Sequence, residues 1–398
     1  VKPAQAASAK RFDVAVVGGG LVGLSLAARL GQAGISVALL EASEPVLEWS
    51  PESIDLRVYA VTRASQRLFS ELGAWEAIEP RAGAFRNMRV WDAGGAGEIH
   101  FDSADMGEPC LGHIVESRVI EAALLKVING LPSVRRFCPA LVEGFTDLGD
   151  WQQIELQGGN RLNASVLVGA DGRNSRVRDY AGIHARASDY GQQGLVTVVS
   201  TERPHQHTAW QRFLPTGPLA FLPLFDGRCS IVWSARTDRA RQLLELDESH
   251  FCEALSEAFD HRLGRVLACG ERVLFPLMRQ SAESYVKPRI ALIGDAAHVI
   301  HPLAGQGVNL GLKDASELAD RLLSARAAGR DIGALTVLRR YERARKGDNL
   351  LMMSVMDGFK HLFGSGIAPL RWARNTGLNL VDAAPLLKQQ IMRAAMGL

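Results

Sequence analysis

Three glycines and a carboxylate carry the first chemistry in the chain. Gly18-Gly19-Gly20-Leu21-Val22-Gly23 reads G-x-G-x-x-G, and Glu41 closes the next apolar run. Gly18 permits a tight turn, Gly20 lets the backbone approach a diphosphate, and Gly23 lets a helix pack closely on a strand. A helix starting here turns its positive end towards phosphate, and Glu41 stands where a carboxylate accepts the hydroxyls of an adenosine ribose. The chemistry is dinucleotide binding, and these residues alone leave FAD and NAD both open.

Two further turns place an acid beside a glycine. Val168-Gly169-Ala170-Asp171-Gly172 runs into a stretch rich in arginine from Arg173 to Arg178. Ile290-Ala291-Leu292-Ile293-Gly294-Asp295 runs into His298, Pro302, Gly305, Gln306, Gly307, Val308 and Asn309. Open α/β sheets bind ligands beyond the carboxyl ends of their strands, so Asp171 and Asp295 are candidate ligand-facing residues. Each also has a plainer reading as a turn former. His298 and His301 have the spacing of a metal pair, but no neighbouring carboxylate or cysteine completes a set, and no metal is expected. His298 reads better as a structural or cofactor-adjacent hydrogen-bond partner than as an acid–base catalyst.

The elements that must position these residues follow from periodicity. Phe12 to Val17 reads as a buried strand, Leu21 to Ala33 as a helix stopped by Gly34, and Ser36 to Leu40 as a second strand, which completes a βαβ unit. Arg161 to Val168 is strand-like; 87–92 and 190–235 alternate as antiparallel strands do. Leu243 to Ala258 reads as one helix and Val273 to Met278 as a strand carrying Pro276. From Gly307 the apolar residues Leu310, Ala315, Leu318 and Leu322 recur at helical spacing. The tail holds Met352, Met353, Met356, Phe359, Leu362, Phe363, Leu370, Arg371 and Trp372. A last helix there has Leu387, Ile391, Ala394 and Leu398 on one face, with Lys388 and Arg393 beside it.

Composition narrows the class. The 398 residues, 47 % apolar and 22 % charged, fit a soluble globular chain of two to three domains and exclude wholesale disorder or a polytopic membrane protein. A net charge of +2 is too balanced for a dedicated nucleic-acid binder, so no nucleic-acid partner is expected. The five cysteines are an odd number without a CxxC pair, and the start lacks the apolar core of a secretory signal. Free thiols in a reducing cytoplasm are therefore expected.

The three segments, at these separations, resemble the fingerprints of the group A flavoprotein monooxygenases, which share the fold of para-hydroxybenzoate hydroxylase. Within that fold the chain is most similar to the ubiquinone-biosynthesis hydroxylases of UbiH, UbiF and UbiI type. The similarity is carried by Asp55-Leu56-Arg57, Leu111-Gly112-His113-Ile114-Val115-Glu116, Ala220-Phe221-Leu222-Pro223-Leu224, Ile231-Val232-Trp233 and Gly294 to Asn309. The resemblance implies an α/β fold: a Rossmann-like FAD-binding domain of 11–80, 111–185 and 286–345, an interleaved mixed-sheet substrate domain of 81–110 and 186–285, and C-terminal helices over 346–398.

It also implies roles. Gly18, Gly20, Gly23 and Glu41 hold the ADP half of FAD, Arg57 lies by the pyrophosphate or ribityl chain, and Asp295 takes a ribityl hydroxyl. Asp171 belongs to the turn near the pyrophosphate and the nicotinamide approach. The backbone from Pro302 through Gly305, Gly307, Val308 and Asn309 borders the flavin ring. Where relatives commonly show Glu-Asn before the next helix, this chain has Glu116-Ser117-Arg118, and Arg118 is the candidate contact. The implied reaction is hydroxylation of a polyprenylated phenol or benzoquinol through a flavin hydroperoxide, with molecular oxygen and NAD(P)H as the transient reductant. It needs a dry apolar pocket, expected around Leu214, Phe221, Leu222, Pro223, Trp233 and Pro302, and no side-chain nucleophile. Two competing readings are a hydroxylase of a small soluble aromatic compound and a mainly structural FAD-bound subunit. A lipid-borne substrate adds two expected surfaces, a peripheral contact with the inner membrane and docking in a ubiquinone-biosynthesis complex. The plainer reading of the last helix is packing on its own domain.

Overall fold

The computed structural model describes residues 9–300, 307–364, 375–377, 380–382 and 384–397, with the backbone alone at 355–357 and 359–364. Of the residues singled out above, His301, Pro302, Gly305, Gln306, Leu370, Arg371, Trp372 and Leu398, and the side chains of Met356, Phe359, Leu362 and Phe363, lie outside the described set.

The β-branched run before the first glycines forms β1 (Lys10–Val17), whose Val14, Ala15 and Val16 are fully buried. It pairs in parallel with β2 (Val37–Leu40) on one side and with β11 (Arg161–Gly169) on the other. β8 (Val134–Phe137) continues the sheet beyond β2; β19 (Ile290–Leu292) and β18 (Val286–Lys287) continue it beyond β11. A hairpin of β9 (Val142–Asp147) and β10 (Gln152–Leu156) attaches to β11. Both carboxyl-terminal ends that carry an acid, at Gly169 and Leu292, therefore lie near the end of β1, where the glycine turn begins. Helices α1 (Leu21–Gln32), α4 (Ser117–Asn129) and α8 (Gly307–Ala327) share one apolar core with this sheet.

The second sheet contains β5 (Asn87–Asp92), β6 (Glu98–Asp102), β12 (Ala185–Thr201), β13 (Thr208–Leu214), β14 (Gly217–Pro223), β15 (Cys229–Arg236), β17 (Val273–Ala282) and β20 (His298–Val299). Its order is β20-β17-β12-β15-β14-β13-β5-β6, with β16 (Val266–Cys269) on β12. A third, small sheet sets β7 (Gly112–Glu116) between β3 (Val58–Thr62) and β4 (Gly83–Phe85). Further helices among the described residues are α2 (Arg63–Glu71), α3 (Trp75–Ile78), α5 (Arg176–Tyr180), α6 (Thr237–Glu245), α7 (Glu248–Ala258), α9 (Leu335–Gly364) and α10 (Pro385–Met396).

Two differences from the periodicity reading have clear causes. Leu243 to Ala258 is two helices, because Leu246 turns extended and the Asp247 side chain accepts from His250 N–H to start α7 afresh. The chain also changes sheets at the second acid: β19 lies in the first sheet and β20 in the second, so Gly294 and Asp295 form the crossing between them.

Candidate active site and cofactor cradle

The glycine turn is shaped from both sides. Gly18 has φ +106°, and a Cβ there would lie 2.3 Å from the Ala170 carbonyl; a Cβ at Gly23 would lie 2.0 Å from the Gly18 carbonyl. Those two glycines are needed for packing within the chain. Gly20 is different, since nothing lies within 4 Å of the place its Cβ would take. Gly20 also starts α1 with no side-chain cap and no acid in the first turn, so the positive end of the helix faces open space.

That space is a cleft of about 210 Å3 lined by Gly19, Gly20, Leu39, Glu41, Glu121 and Arg136 among others. The Glu41 carboxylate is fixed over the turn, accepting from Gly19 N–H at 2.6 Å and Ser43 N–H at 3.1 Å. A carboxylate has about four acceptor positions, so Glu41 keeps capacity for hydroxyl donors. From α4, Glu121 faces the same space; burial raises its carboxyl, and Ser117 Oγ donates to it at 3.0 Å.

Asp295 sits at the sheet crossing. Its side chain reaches water but is walled by protein, and among the described residues it has no hydrogen-bond partner. The desolvation outweighs the nearby charges of His298, Arg57 and Arg173, and its carboxyl is raised. Arg57 is exposed, and its charge acts on Asp295, Glu121 and Tyr59. An open glycine approach, an uncapped helix start, a fixed carboxylate over the cleft and an acid without a hydrogen-bond partner among the described residues, within range of two guanidinium groups, fit a ligand that carries a diphosphate and many hydroxyls. FAD is such a ligand.

Other sequence candidates are committed to the protein itself. Both Asp171 oxygens serve the start of α5, accepting from Ser175 Oγ at 2.5 Å, Arg176 N–H at 2.8 Å and Val177 N–H at 3.2 Å. Arg118 donates to Glu116 at 2.9 Å and to the Ser53 carbonyl, and lies 4.8 Å from the Trp49 ring. The buried Glu116 also receives Arg81 and, at 2.7 Å, Asp55 N–H, so Arg118 and Arg81 anchor the loop that carries Arg57. Asn309 accepts from Thr62 N–H at 3.1 Å and Ser65 Oγ at 2.7 Å, and donates to the Ala60 carbonyl at 2.8 Å. It thereby pins the start of α8, with Gly307 and Val308, against β3.

The residues that sequence reasoning missed lie behind this cradle. Asp314 of α8 is fully buried and accepts from Gly294 N–H at 3.1 Å, His298 Nε2 at 2.5 Å, Arg345 Nε at 2.9 Å and Asn349 Nδ2 at 3.3 Å. Burial alone would raise its carboxyl, but His298 and Arg345 hold it below the usual carboxylate range. Asp314 is therefore the ionised acceptor and the His298 ring the donor, consistent with a structural His298. The one sequence signal was an acid set between Leu310 and Leu318 on an apolar helical face.

The pocket-side reading needs correction. Phe221 and Trp233 do not face the cofactor domain: they are buried in the core beneath α6 and α7, where Phe221 stacks on Phe259 at 3.7 Å. Leu214 packs against the same core, and the buried Pro223 sets its carbonyl close against Gly83. Strand alternation turns Leu222 to the opposite face. There it joins Val198, Leu224 and Ile114 and the partly buried Leu56, Val58 and Ala60, an apolar wall beside the strand that holds the start of α8.

The FAD binding domain family matches residues 11–347. The chain is 40 % identical to 3-demethoxyubiquinol 3-hydroxylase of Escherichia coli (strain K12), over 97 % of this chain and 98 % of that protein. It is 39 % identical to ubiquinone hydroxylase UbiL of Rhodospirillum rubrum, over 99 % and 92 % of the two chains. In structure it is similar to p-nitrophenol 4-monooxygenase PnpA of Pseudomonas putida DLL-E4, with a TM-score of 0.77 over 97 % and 98 % of the chains at 20 % identity, a likeness of fold alone. With the cradle described above, these similarities establish that the chain belongs to the FAD binding domain family and is one of its FAD-dependent monooxygenases.

Proposed function

We propose that this enzyme hydroxylates the aromatic ring of a polyprenylated phenol or benzoquinol intermediate of ubiquinone biosynthesis, using molecular oxygen and NAD(P)H. Bound FAD supplies the redox chemistry, accepting reducing equivalents from the nicotinamide and activating oxygen. In this reading Gly18, Gly20, Gly23 and Glu41 bind the ADP half, Arg57 neutralises the diphosphate and Asp295 accepts from a ribityl hydroxyl. The backbone at Gly307, Val308 and Asn309, at the positive start of α8, faces the pyrimidine edge. Leu56, Val58, Ala60 and Leu222 exclude water from the reacting ring and hold it by apolar contact. The observation that carries the reading is that apolar wall, in a chain 40 % identical over nearly its whole length to a demethoxyubiquinol hydroxylase.

The substrate also motivates a place of work. Among the described residues no helix is long and apolar enough to cross a membrane. Outward-facing Leu386 and Leu387, 79 % and 45 % exposed, and Ile391 on α10 support a peripheral contact through which a lipid-borne ring reaches the wall.

The test is turnover by the purified FAD-loaded enzyme. A prenylated phenol is expected to accelerate NAD(P)H oxidation and to gain one oxygen atom by mass spectrometry, whereas a small soluble aromatic acid gives little coupling. Coupled hydroxylation of the soluble acid alone would move the substrate class, and NAD(P)H oxidation that yields only hydrogen peroxide with every ring would refute hydroxylation.

A further inference from the structure

Cys252 and Cys269 have no metal-binding spacing in the sequence, yet the fold brings them together. The Asp247 cap starts α7 at Glu248, which sets Glu248 and Cys252 one turn apart on the same side of the helix. β16 pairs with β12 at Val199↔Cys269 and packs against α7, delivering Cys269 to that side. A Glu248 carboxylate oxygen and the two sulfur atoms all lie within 4.8 Å of one another. Cys269 N–H donates to Glu248 Oε1 at 3.1 Å and fixes the carboxylate.

We propose that Glu248, Cys252 and Cys269 form a binding site for a borderline-soft divalent cation, Zn2+ by preference, with water in the fourth position. Two sulfurs and one oxygen suit a tetrahedral zinc ion and disfavour calcium or magnesium, which take oxygen ligands. The charges also match. Two thiolates and a carboxylate around a divalent ion leave one negative charge, and the Arg272 guanidinium, which acts on both thiols, neutralises it. Arg272 is held there by the Leu243 carbonyl at 3.2 Å and the Phe251 ring at 4.8 Å. Glu248 is exposed and gives the ion its entry, while Cys252 is buried.

Without metal both sulfurs are protonated thiols. A cysteine thiol is ordinarily protonated at neutral pH and binds a metal as its thiolate. Binding therefore forms two metal–sulfur bonds and one metal–oxygen bond and releases two protons to solvent, so affinity rises with pH. The bound ion ties α7 to β16 at the outer side of the second sheet, in a place the hydroxylation chemistry does not use.

The experiment takes the full-length FAD-loaded protein, reduced with a phosphine and stripped with a chelator, and titrates it with Zn2+ by calorimetry and with Cd2+ by ultraviolet absorbance. One ion per chain, release of two protons and a cadmium–thiolate charge-transfer band are expected. Cys252→Ser and Cys269→Ser should each abolish the band, and Glu248→Gln should weaken binding about tenfold or more. Cys269 is the less buried cysteine, so Cys269→Ser decides the matter if Cys252→Ser fails to retain FAD. A band that survives in Cys269→Ser overturns the proposal. So does a Cys252–Cys269 disulfide in air-exposed protein whose reduced form gives no band.

Discussion

His298 Nε2 lies 2.5 Å from Asp314 Oδ2, both side chains are buried from water, and the pair joins β20 of the second sheet to α8. Arg345 and Gly294 share the same carboxylate, so one acid orders everything that flanks Asp295.

Asp314→Asn leaves the buried Arg345 guanidinium with only the exposed Asp348 carboxylate, at 3.0 Å, as counter-charge, and we expect a loss of about 3 kcal/mol in urea unfolding at neutral pH. The sign with pH follows from the lowered carboxyl. Its contribution is complete above the unfolded value of about 3.9 and fades as pH falls through the folded value. The wild-type chain should therefore lose more stability than the variant below that point. Equal acid slopes for the two proteins would contradict the assignment.

His113 sets a second, higher window. Burial and the Arg63 charge lower its pKa to about 4, against about 6.5 when unfolded. The unfolded chain takes a proton from about pH 6.5 downwards while the folded one resists until about 4, so stability falls by about 3 kcal/mol across that interval. His113→Phe, beside Trp75 at 4.9 Å, should flatten this part of the profile and leave the more acidic limb of Asp314 intact.

The glycines separate packing from ligand approach. Gly20→Ala meets no atom of the chain and should change the stability of the FAD-free protein by less than about 0.5 kcal/mol while weakening FAD binding. Gly23→Ala drives a methyl group into the Gly18 carbonyl and should destabilise by about 2 kcal/mol or more even without FAD. Thermal melts with and without FAD distinguish the two, and equal effects in the FAD-free melts would remove the distinction.

Asp295→Asn should act in opposite directions on the empty and loaded protein. Its raised carboxyl marks a charge that costs stability at neutral pH, so the amide should raise the Tm of the FAD-free chain. FAD affinity should fall about tenfold, about 1.4 kcal/mol, by fluorescence titration. A lower Tm in the FAD-free variant would count against a desolvated charge at the crossing.

Leu222 and Phe221 are adjacent in sequence and should fail differently. Phe221→Ala opens a cavity beneath α7 and should cost about 3–5 kcal/mol of stability, with KM for a prenylated ring little changed in the folded fraction. Leu222→Ala removes part of the apolar wall and should raise KM with a smaller loss of stability. Steady-state kinetics together with urea unfolding separates the outcomes.

The nucleotide half was legible because local rules decide it. The β-branched run Phe12 to Val17 reads as a buried strand, Gly18 takes its positive φ, and Glu41 directly follows the next strand at the same end of the sheet. Leu243 to Ala258 was misread as one helix because apolar spacing continues through Leu246, although Asp247 carried the cap that divides it. Phe221 was misassigned because both faces of β14 are apolar, and Trp233 of β15 followed it onto the same face. Which face meets α6 and α7 is a tertiary fact. Asp314, Arg345 and Asn349 meet His298 across two helices and a strand, a closeness that linear spacing does not encode.

The passage of Ile290–Val299 from one sheet into the next has a consequence for dissection. No single cut leaves two self-sufficient pieces: a fragment ending before 286 forfeits β18 and β19 from the nucleotide layer and β20 from its neighbour, while one starting there has lost β1. The two layers are inseparable by truncation, and the seam that joins them is the stretch to which the proposed function gives a coenzyme contact, Asp295.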